Sequence, residues 1–227
     1  MDYKSLNWMQ IESYLAEDDR IMLVLGAVEQ HGYLSLMTDV LIPQKLAEAA
    51  SQQTGVLAAP AEPFGSSPYF LAYPGTISLQ MSTLMAVLED MIRSLHRQGF
   101  RRFLVLNGHG GNRGAKAVLD ELANQLAGFS GMWYDWWLSP VVGEVAGKHG
   151  LVQSHANWLE AFEETIVTDL PEGEKPFPGR AGSWPAEQVR RFYGDGSFGG
   201  HYQAPSEVMD ELFNACLGEV VGLLEEL

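Results

Sequence analysis

The run Ile21 to Leu25, IMLVL, closes on Gly26 and is followed by Glu29, His31 and Asp39. An unbroken aliphatic run ending at a glycine suits a parallel strand covered on both faces better than a helix. In sheets of that kind ligands bind beyond the carboxyl ends of the strands. Three side chains able to hold a metal therefore stand where such a fold puts its site. Glu29 and His31 are two residues apart, so in extended backbone they share a side. One carboxylate and one imidazole on that side suit zinc or manganese. Asp39 follows a short loop and has two oxygens with which to bridge two ions. Taken singly, each of the three reads better as a solvated acid or a satisfied histidine. All three after one buried strand read as a site.

The same grammar returns downstream. Arg102 to Leu106 reads as a strand and runs into NGHGGNRG, with His109 at the tip. Glycines there admit close approach of backbone to a ligand. A phosphate loop is disfavoured there, since this stretch holds neither GxxxxGK[ST] nor GxGxxG. A histidine between glycines at a strand end is unlike a core residue, and a metal ligand is the first choice.

Apolar spacing predicts helices over 5–17, from Pro43, over Ser82 to His96, over Gly114 to Leu126 and from Ser206 onward. Further strands are expected at 56–60 and 76–79 and within 128–138. Phe64, Tyr69, Phe70 and Tyr73 lie on a Gly- and Pro-rich loop and either wall off a ligand or pack the loop on the core. Trp133, Trp136 and Trp137 are assigned to the core or a subunit interface. His155 and Glu160 are five apart, which on a regular helix turns them roughly 140° from each other. A break near Ala156 would let both face one cleft; the competing reading of Glu160 is an exposed helix acid. Residues 170–185 form a long loop, and Asp195 and His201 sit in a second Gly-rich loop from which they could reach a site. No repeat or linker interrupts the chain, so one domain over 1–227 is expected.

Composition narrows the partners. The net charge is −15, from 14 basic and 29 acidic residues, which argues against nucleic acid. A hydrophobic content of 46% supports a substantial core. One cysteine, Cys216, allows no internal disulfide and fits a reducing cytosol. The N-terminus lacks the features of a signal peptide, and no apolar run reaches the roughly 20 residues that cross a bilayer. A cytoplasmic protein without a membrane partner is the expectation.

Together GAVEQHGYLSLMTD, FGSSPYFLAYPGTISL, NGHGGN and HANWLEAF, in that order, resemble the creatininase (creatinine amidohydrolase) family along essentially the whole chain. The resemblance implies an α/β fold, a three-layer α/β/α sandwich with a mostly parallel central sheet. It also implies a binuclear site of two divalent metal ions, zinc or manganese with iron as a further option, and hydrolysis of a C–N bond in a small, cyclic or linear amide. Residue by residue, Glu29, His31, Asp39 and His109 match metal ligands, with Asp39 as the bridge. The family's glutamate two residues past the strand-end histidine is Gly111 here, and Glu160 is assigned as the remaining ligand. His155 matches a histidine beside the substrate and is the expected general acid, while metal-activated water attacks the amide. Departures from the family pattern at Tyr33, Ser35 and Phe70 are expected around the substrate. A homo-oligomer, in hexameric form, is implied as well. A deformylase or peptidase-like activity, or a metal-binding oligomer without turnover, are the alternatives.

Overall fold

Alternation along two central strands sets the layering. The computed structural model describes residues 3–227. Strand β1 (Arg20–Leu25) pairs in parallel with β3 (Arg102–Asn107), from Arg20 opposite Arg102 to Leu25 opposite Asn107. Strand β2 (Leu57–Ala58) flanks β1 and β4 (Ser130–Asp135) flanks β3, so the order is β2-β1-β3-β4 with every pairing parallel. Met22, Val24, Leu104 and Leu106 pack into one core with helices α2 (Thr38–Thr54), α5 (Pro140–Lys148) and α7 (Ser206–Glu226). Ile21, Leu23, Leu25, Phe103 and Val105 pack into a second core with α1 (Trp8–Leu15), α3 (Met81–Gln98) and α4 (Ala117–Ala123). Burial on both faces is why these strands are apolar at every position rather than at alternate ones. The three-layer α/β arrangement expected from the sequence is the one observed.

The chain leaves β1 for β2 on one side and β3 for β4 on the other. The crevice between the carboxyl ends of β1 and β3 is therefore a switch point of the topology, where open parallel sheets bind ligands. Outside the layers, α6 (Ala186–Tyr193) packs Val189 and Tyr193 on Phe70 and Tyr73. Near it lies a small hairpin of β5 (Glu174–Lys175) and β6 (Gly200–His201).

Several elements differ from expectation. Helix α2 begins at Thr38, so Asp39 lies in its first turn and Pro43 lies inside it. The Thr38 hydroxyl donates to the Ser35 carbonyl and the amides of Val40 and Leu41 donate to Met37, which starts the helix before the proline. The segment at 76–79 joins no sheet and makes only an isolated bridge between Val28 and Ile77. The expected helix over 114–126 is a 3-10 stretch, Gly110–Lys116, running into a short α4. Helices α5 and α6 have no counterpart among the expected elements. Cys216 is buried in α7, and burial pushes its thiol up to about 12, which makes it unreactive. Among the described residues no helix is long and apolar enough to cross a membrane.

Two glycines bring α2 against the strand ends. A Cβ on Gly26 would overlap Val40 Cγ2, and one on Gly108 would overlap the Asp39 carbonyl oxygen. Pro43 has no N–H to return to that carbonyl, four residues back. The first turn of α2 thus seats directly on the ends of β1 and β3, and Asp39 arrives between them. Gly108→Ala should lower stability by roughly 1–3 kcal/mol through overpacking. Gly147→Ala, in the open on α5 with nothing within 4 Å of the added carbon, should raise it by about 0.5–1 kcal/mol. Urea unfolding of both variants checks the contrast, and equal effects would show that the clamp at Gly108 is not real.

Candidate metal centre

Glu29 and His31 follow the end of β1 outside any regular element, and the Glu29 amide is tied to the Leu36 carbonyl at 3.0 Å. His109 leaves the end of β3 and precedes the 3-10 stretch. Glu160 closes a 3-10 turn, Trp158–Glu160, capped by Asn157. The regular helix on which His155 and Glu160 would diverge does not form, because Ala156 adopts a left-handed φ of 54°. Its amide donates to Glu160 Oε2 at 2.6 Å, which folds the carboxylate back toward the crevice.

The five expected ligands meet. Asp39 Oδ1 lies 3.0 Å from His31 Nε2, and Asp39 Oδ2 lies 2.9 Å from His109 Nδ1. Glu160 Oε1 is 3.7 Å from His31 Nε2, and Glu29 Oε1 is 3.4 Å from His109 Nδ1. The result is two clusters, Glu29–Asp39–His109 and His31–Asp39–Glu160, each with its donor atoms within 4.8 Å of one another and sharing Asp39. All five side chains are buried. Glu29 Oε2, His31 Nε2 and Asp39 Oδ2 nevertheless make no hydrogen bond. Buried polar atoms are nearly always partnered. Atoms of this type left facing one another fit cations, with mixed oxygen and imidazole donors of the kind zinc and manganese accept.

The outer contacts point the same way. His31 Nδ1 faces the Glu29 carbonyl at 3.3 Å, and His109 Nε2 faces the Ser66 carbonyl at 2.9 Å. Each carbonyl takes the ring N–H, leaving the other nitrogen bare toward the cluster, as in metal-bound histidines. The loop at His109 is held from behind. Asn107 Oδ1 accepts from the His109 amide, while Asn112 donates to the Gly26 carbonyl and accepts from the Ser66 amide. At Gly111 a Cβ would overlap both the Ser66 carbonyl oxygen and His109 Nε2. No side chain fits there, and the third carboxylate near the cluster is that of Glu160.

Charges in the bare cluster are strongly coupled. Burial raises Glu29, and the nearby histidine charge only partly reverses it. Burial would raise Asp39 too, but His31 and His109 outweigh it and hold the carboxyl below its usual range. Burial would lower both histidines; Asp39 with Glu160 at His31, and Glu29 with Asp39 at His109, more than offset it and lift both well above the usual value.

A cleft of about 710 Å³ opens onto this cluster. Phe70, Phe198, Trp137, Leu138 and Phe177 form much of its wall, with His155 beside Glu160. Of the flagged aromatics, Tyr69 and Phe70 line the cleft, Trp137 does so too, and Trp136 is in the core. Tyr33 and Ser35 are not at the cleft. Tyr33 packs edge-on against Tyr202, and Ser35 accepts from the Met37 amide at the start of α2. Asp195 is occupied by Lys175 at 2.5 Å and Tyr202 at 2.8 Å, and His201 sits 3.6 Å from Glu174 on the outer hairpin. Neither reaches the cluster. Phe198, Tyr193 and Arg180 line the cleft although the sequence does not single them out. Neither the loops of Arg180 and Phe198 nor the short helix ending at Tyr193 carries a spacing that marks them.

The creatininase family model, described as creatinine amidohydrolase, matches residues 4–224. The chain is similar to creatinine amidohydrolase of Pseudomonas putida, 35% identical over 111 residues, which is 46% of this chain and 43% of that protein. It is also similar to 3-dehydro-scyllo-inosose hydrolase of Thermotoga maritima, 28% identical over 110 residues, or 48% of this chain and 35% of that one. The matched stretches thus span less than half the length of these curated relatives. A solved structure of a mutant creatininase, Zn-Zn type, superposes with a TM-score of 0.83 at 23% identity, covering 99% of this chain and 96% of that one. At that identity the likeness shows the fold.

Without cations, the neighbouring carboxylates raise the proton affinity of His31 and His109, and cations compete with protons for the same nitrogens. Lowering the pH should therefore weaken metal binding, starting above the value near 6.5 at which an ordinary histidine charges. Zinc titrated calorimetrically into metal-free protein near neutral pH, in buffers of different ionisation enthalpy, should release protons. Uptake without proton release would contradict this competition.

Proposed function

The chain belongs to the creatininase family, and from that premise we propose that it hydrolyses a C–N bond of a small amide at a binuclear metal site. The observation that carries the reading is Asp39, whose two carboxylate oxygens each serve one cluster, Oδ1 with His31 and Glu160, Oδ2 with His109 and Glu29. A carboxylate shared in this way would hold two cations in one site. Zinc and manganese suit the donors best, with iron possible. Bound there, such ions lower the pKa of water to about 7 and polarise a carbonyl oxygen.

The chain's own groups supply the rest. Phe70, Phe198 and Trp137 give the cleft an apolar wall, which excludes bulk water around a bound amide. Glu160 lines the cleft as well as the cluster, and in this reading its carboxylate takes a proton from attacking water and returns it to the leaving nitrogen. Burial and the neighbouring His31 hold His155 well below the usual histidine value, so its ring is neutral and acts through a ring N–H. The expected general acid at His155 narrows to a hydrogen-bond donor toward the reacting amide. Cytoplasmic location and assembly into a homo-oligomer, as a hexamer, belong to the same reading and rest on the family resemblance.

The test is metal-depleted protein reconstituted with zinc or manganese and offered cyclic amides, formamides and short peptides, with and without chelator. Metal-dependent release of amine is expected. Stoichiometric metal with no turnover on any of them would favour a metal-binding protein without hydrolysis. Asp39→Asn should lose bound metal and at least about 100-fold in activity, since ligands matter more than their outer contacts. His155→Gln should lower kcat by roughly 100-fold or more while metal content stays near that of the parent protein. Loss of metal in that variant would make His155 a ligand.

A further inference from the structure

Gln30 stands between two metal-ligand candidates, and its side chain points away from them, toward His155. Its amide orientation is determined. Oε1 accepts from the Gly32 amide at 3.1 Å, and Nε2 donates to the Gly196 carbonyl at 3.2 Å. Turning the amide over would set oxygen against oxygen at Gly196 and N–H against N–H at Gly32. The second hydrogen on Nε2 is thereby directed at His155 Nε2, 2.9 Å away. A ring nitrogen can receive that hydrogen only if it carries a lone pair.

Two further features hold the pair in register. His155 stacks on Phe70, with centroids 4.8 Å apart and planes 14° apart, and is flanked by Phe198 at 4.8 Å. Gly196 has φ +100°, and a Cβ there would overlap Gln30 Oε1 and lie 2.6 Å from its Cδ. A glycine at 196 is what leaves room for the amide.

From these contacts we infer that Gln30 is a positioning residue that locks His155 in the tautomer with the proton on Nδ1 and the lone pair on Nε2. The consequence is specific. His155 lies within ligand range of Glu29 and His31, so on distance alone it could be read as a third imidazole for a cation. With Nε2 committed to Gln30 and Nδ1 protonated, neither nitrogen is free to bind metal. In this tautomer the one N–H that His155 can offer a bound amide is on Nδ1. That last step rests on the proposed amide hydrolysis; the tautomer does not.

The tautomer is measurable without a substrate. Long-range proton–nitrogen correlation spectra of zinc-loaded protein carrying ¹⁵N-histidine read the protonation of each ring nitrogen, and His155→Gln identifies the His155 signals by their loss. The expected pattern is a protonated Nδ1 and an unprotonated Nε2. Gln30→Glu replaces the donor by a carboxylate that only accepts, so the His155 pattern should invert to Nε2–H while the zinc content and the signals of His31 and His109 stay put. Gly196→Ala, by crowding the amide out, should give a mixture of both tautomers. On any amide the protein hydrolyses, Gln30→Glu should lower kcat roughly tenfold or more, the scale of an outer contact, with KM little changed. An Nε2–H on His155 in the parent protein, or an unchanged pattern in Gln30→Glu, would overturn the inference. If Gln30→Glu does not fold, the parent spectrum alone decides. A correct tautomer in a protein that cleaves no amide would leave the lock standing and the proposed reaction refuted.

Discussion

The whole arrangement turns on one buried carboxylate with an imidazole on either side. Asp39 lies at the start of α2, where a helix's first turn favours negative charge. Gly26 and Gly108, at the ends of the two central strands, let that turn come close enough for Asp39 to stand between His31 and His109. Glu29 and Glu160 are each buried with a carboxylate oxygen within 4.8 Å of Asp39. Burying three carboxylates together is costly unless positive charge comes with them. Protons on the histidines answer part of that demand in the bare protein, and divalent cations answer it more fully. The same electrostatics that makes the cluster a poor element of a folding core makes it a good cation site.

Rigidity around the cluster comes from backbone carbonyls rather than from further acids. Ser66 and Glu29 each face the outward nitrogen of a histidine, and Asn107 and Asn112 pin the loop that carries His109. These groups fix ring orientation without adding negative charge, which matters where three carboxylates already converge. The crowding at Gly111 and the folded-back Glu160 are two sides of one arrangement. The turn after β3 packs so tightly on Ser66 that Gly111 has no room for a side chain, and the Glu160 carboxylate comes to the cluster from a 3-10 turn on another part of the chain.

The centre is legible in the sequence where ligands follow buried strands. IMLVL before Glu29 and His31, and RRFLVL before His109, announce strand ends in a parallel sheet, and the topology then brings those ends side by side. Glu160 is different. Its spacing from His155 speaks against a shared cleft unless the helix breaks near Ala156, and residue type does not say that Ala156 adopts the left-handed backbone that makes the break. Asp39 reads as a loop residue because Pro43 looks like a helix start. The helix is instead nucleated by contacts of Ser35, Met37 and Thr38, and it tolerates the proline because Gly108 occupies the side where a hydrogen bond is lost. Helix α5 carries its own signals, Ser139 as N-cap and Pro140 behind it. Helix α6 buries little beyond Val189 and Tyr193, too sparse a stripe to read. Gln30 hides in plain view, since a polar residue between two candidate ligands draws attention to its neighbours.

Cleft and cluster divide the labour: carboxylates and imidazoles fix charge, aromatic walls shape what can reach it, and His155 with Gln30 sets the one N–H between them. The central claim is that Asp39 joins two cations. Anomalous diffraction from crystals grown with zinc tests it most directly. The account predicts two peaks about 3.5–4 Å apart, the spacing of paired catalytic metals, one beside Asp39 Oδ1 with His31 and Glu160 and the other beside Oδ2 with Glu29 and His109. A single peak, or a pair from which Asp39 stands apart, would contradict it.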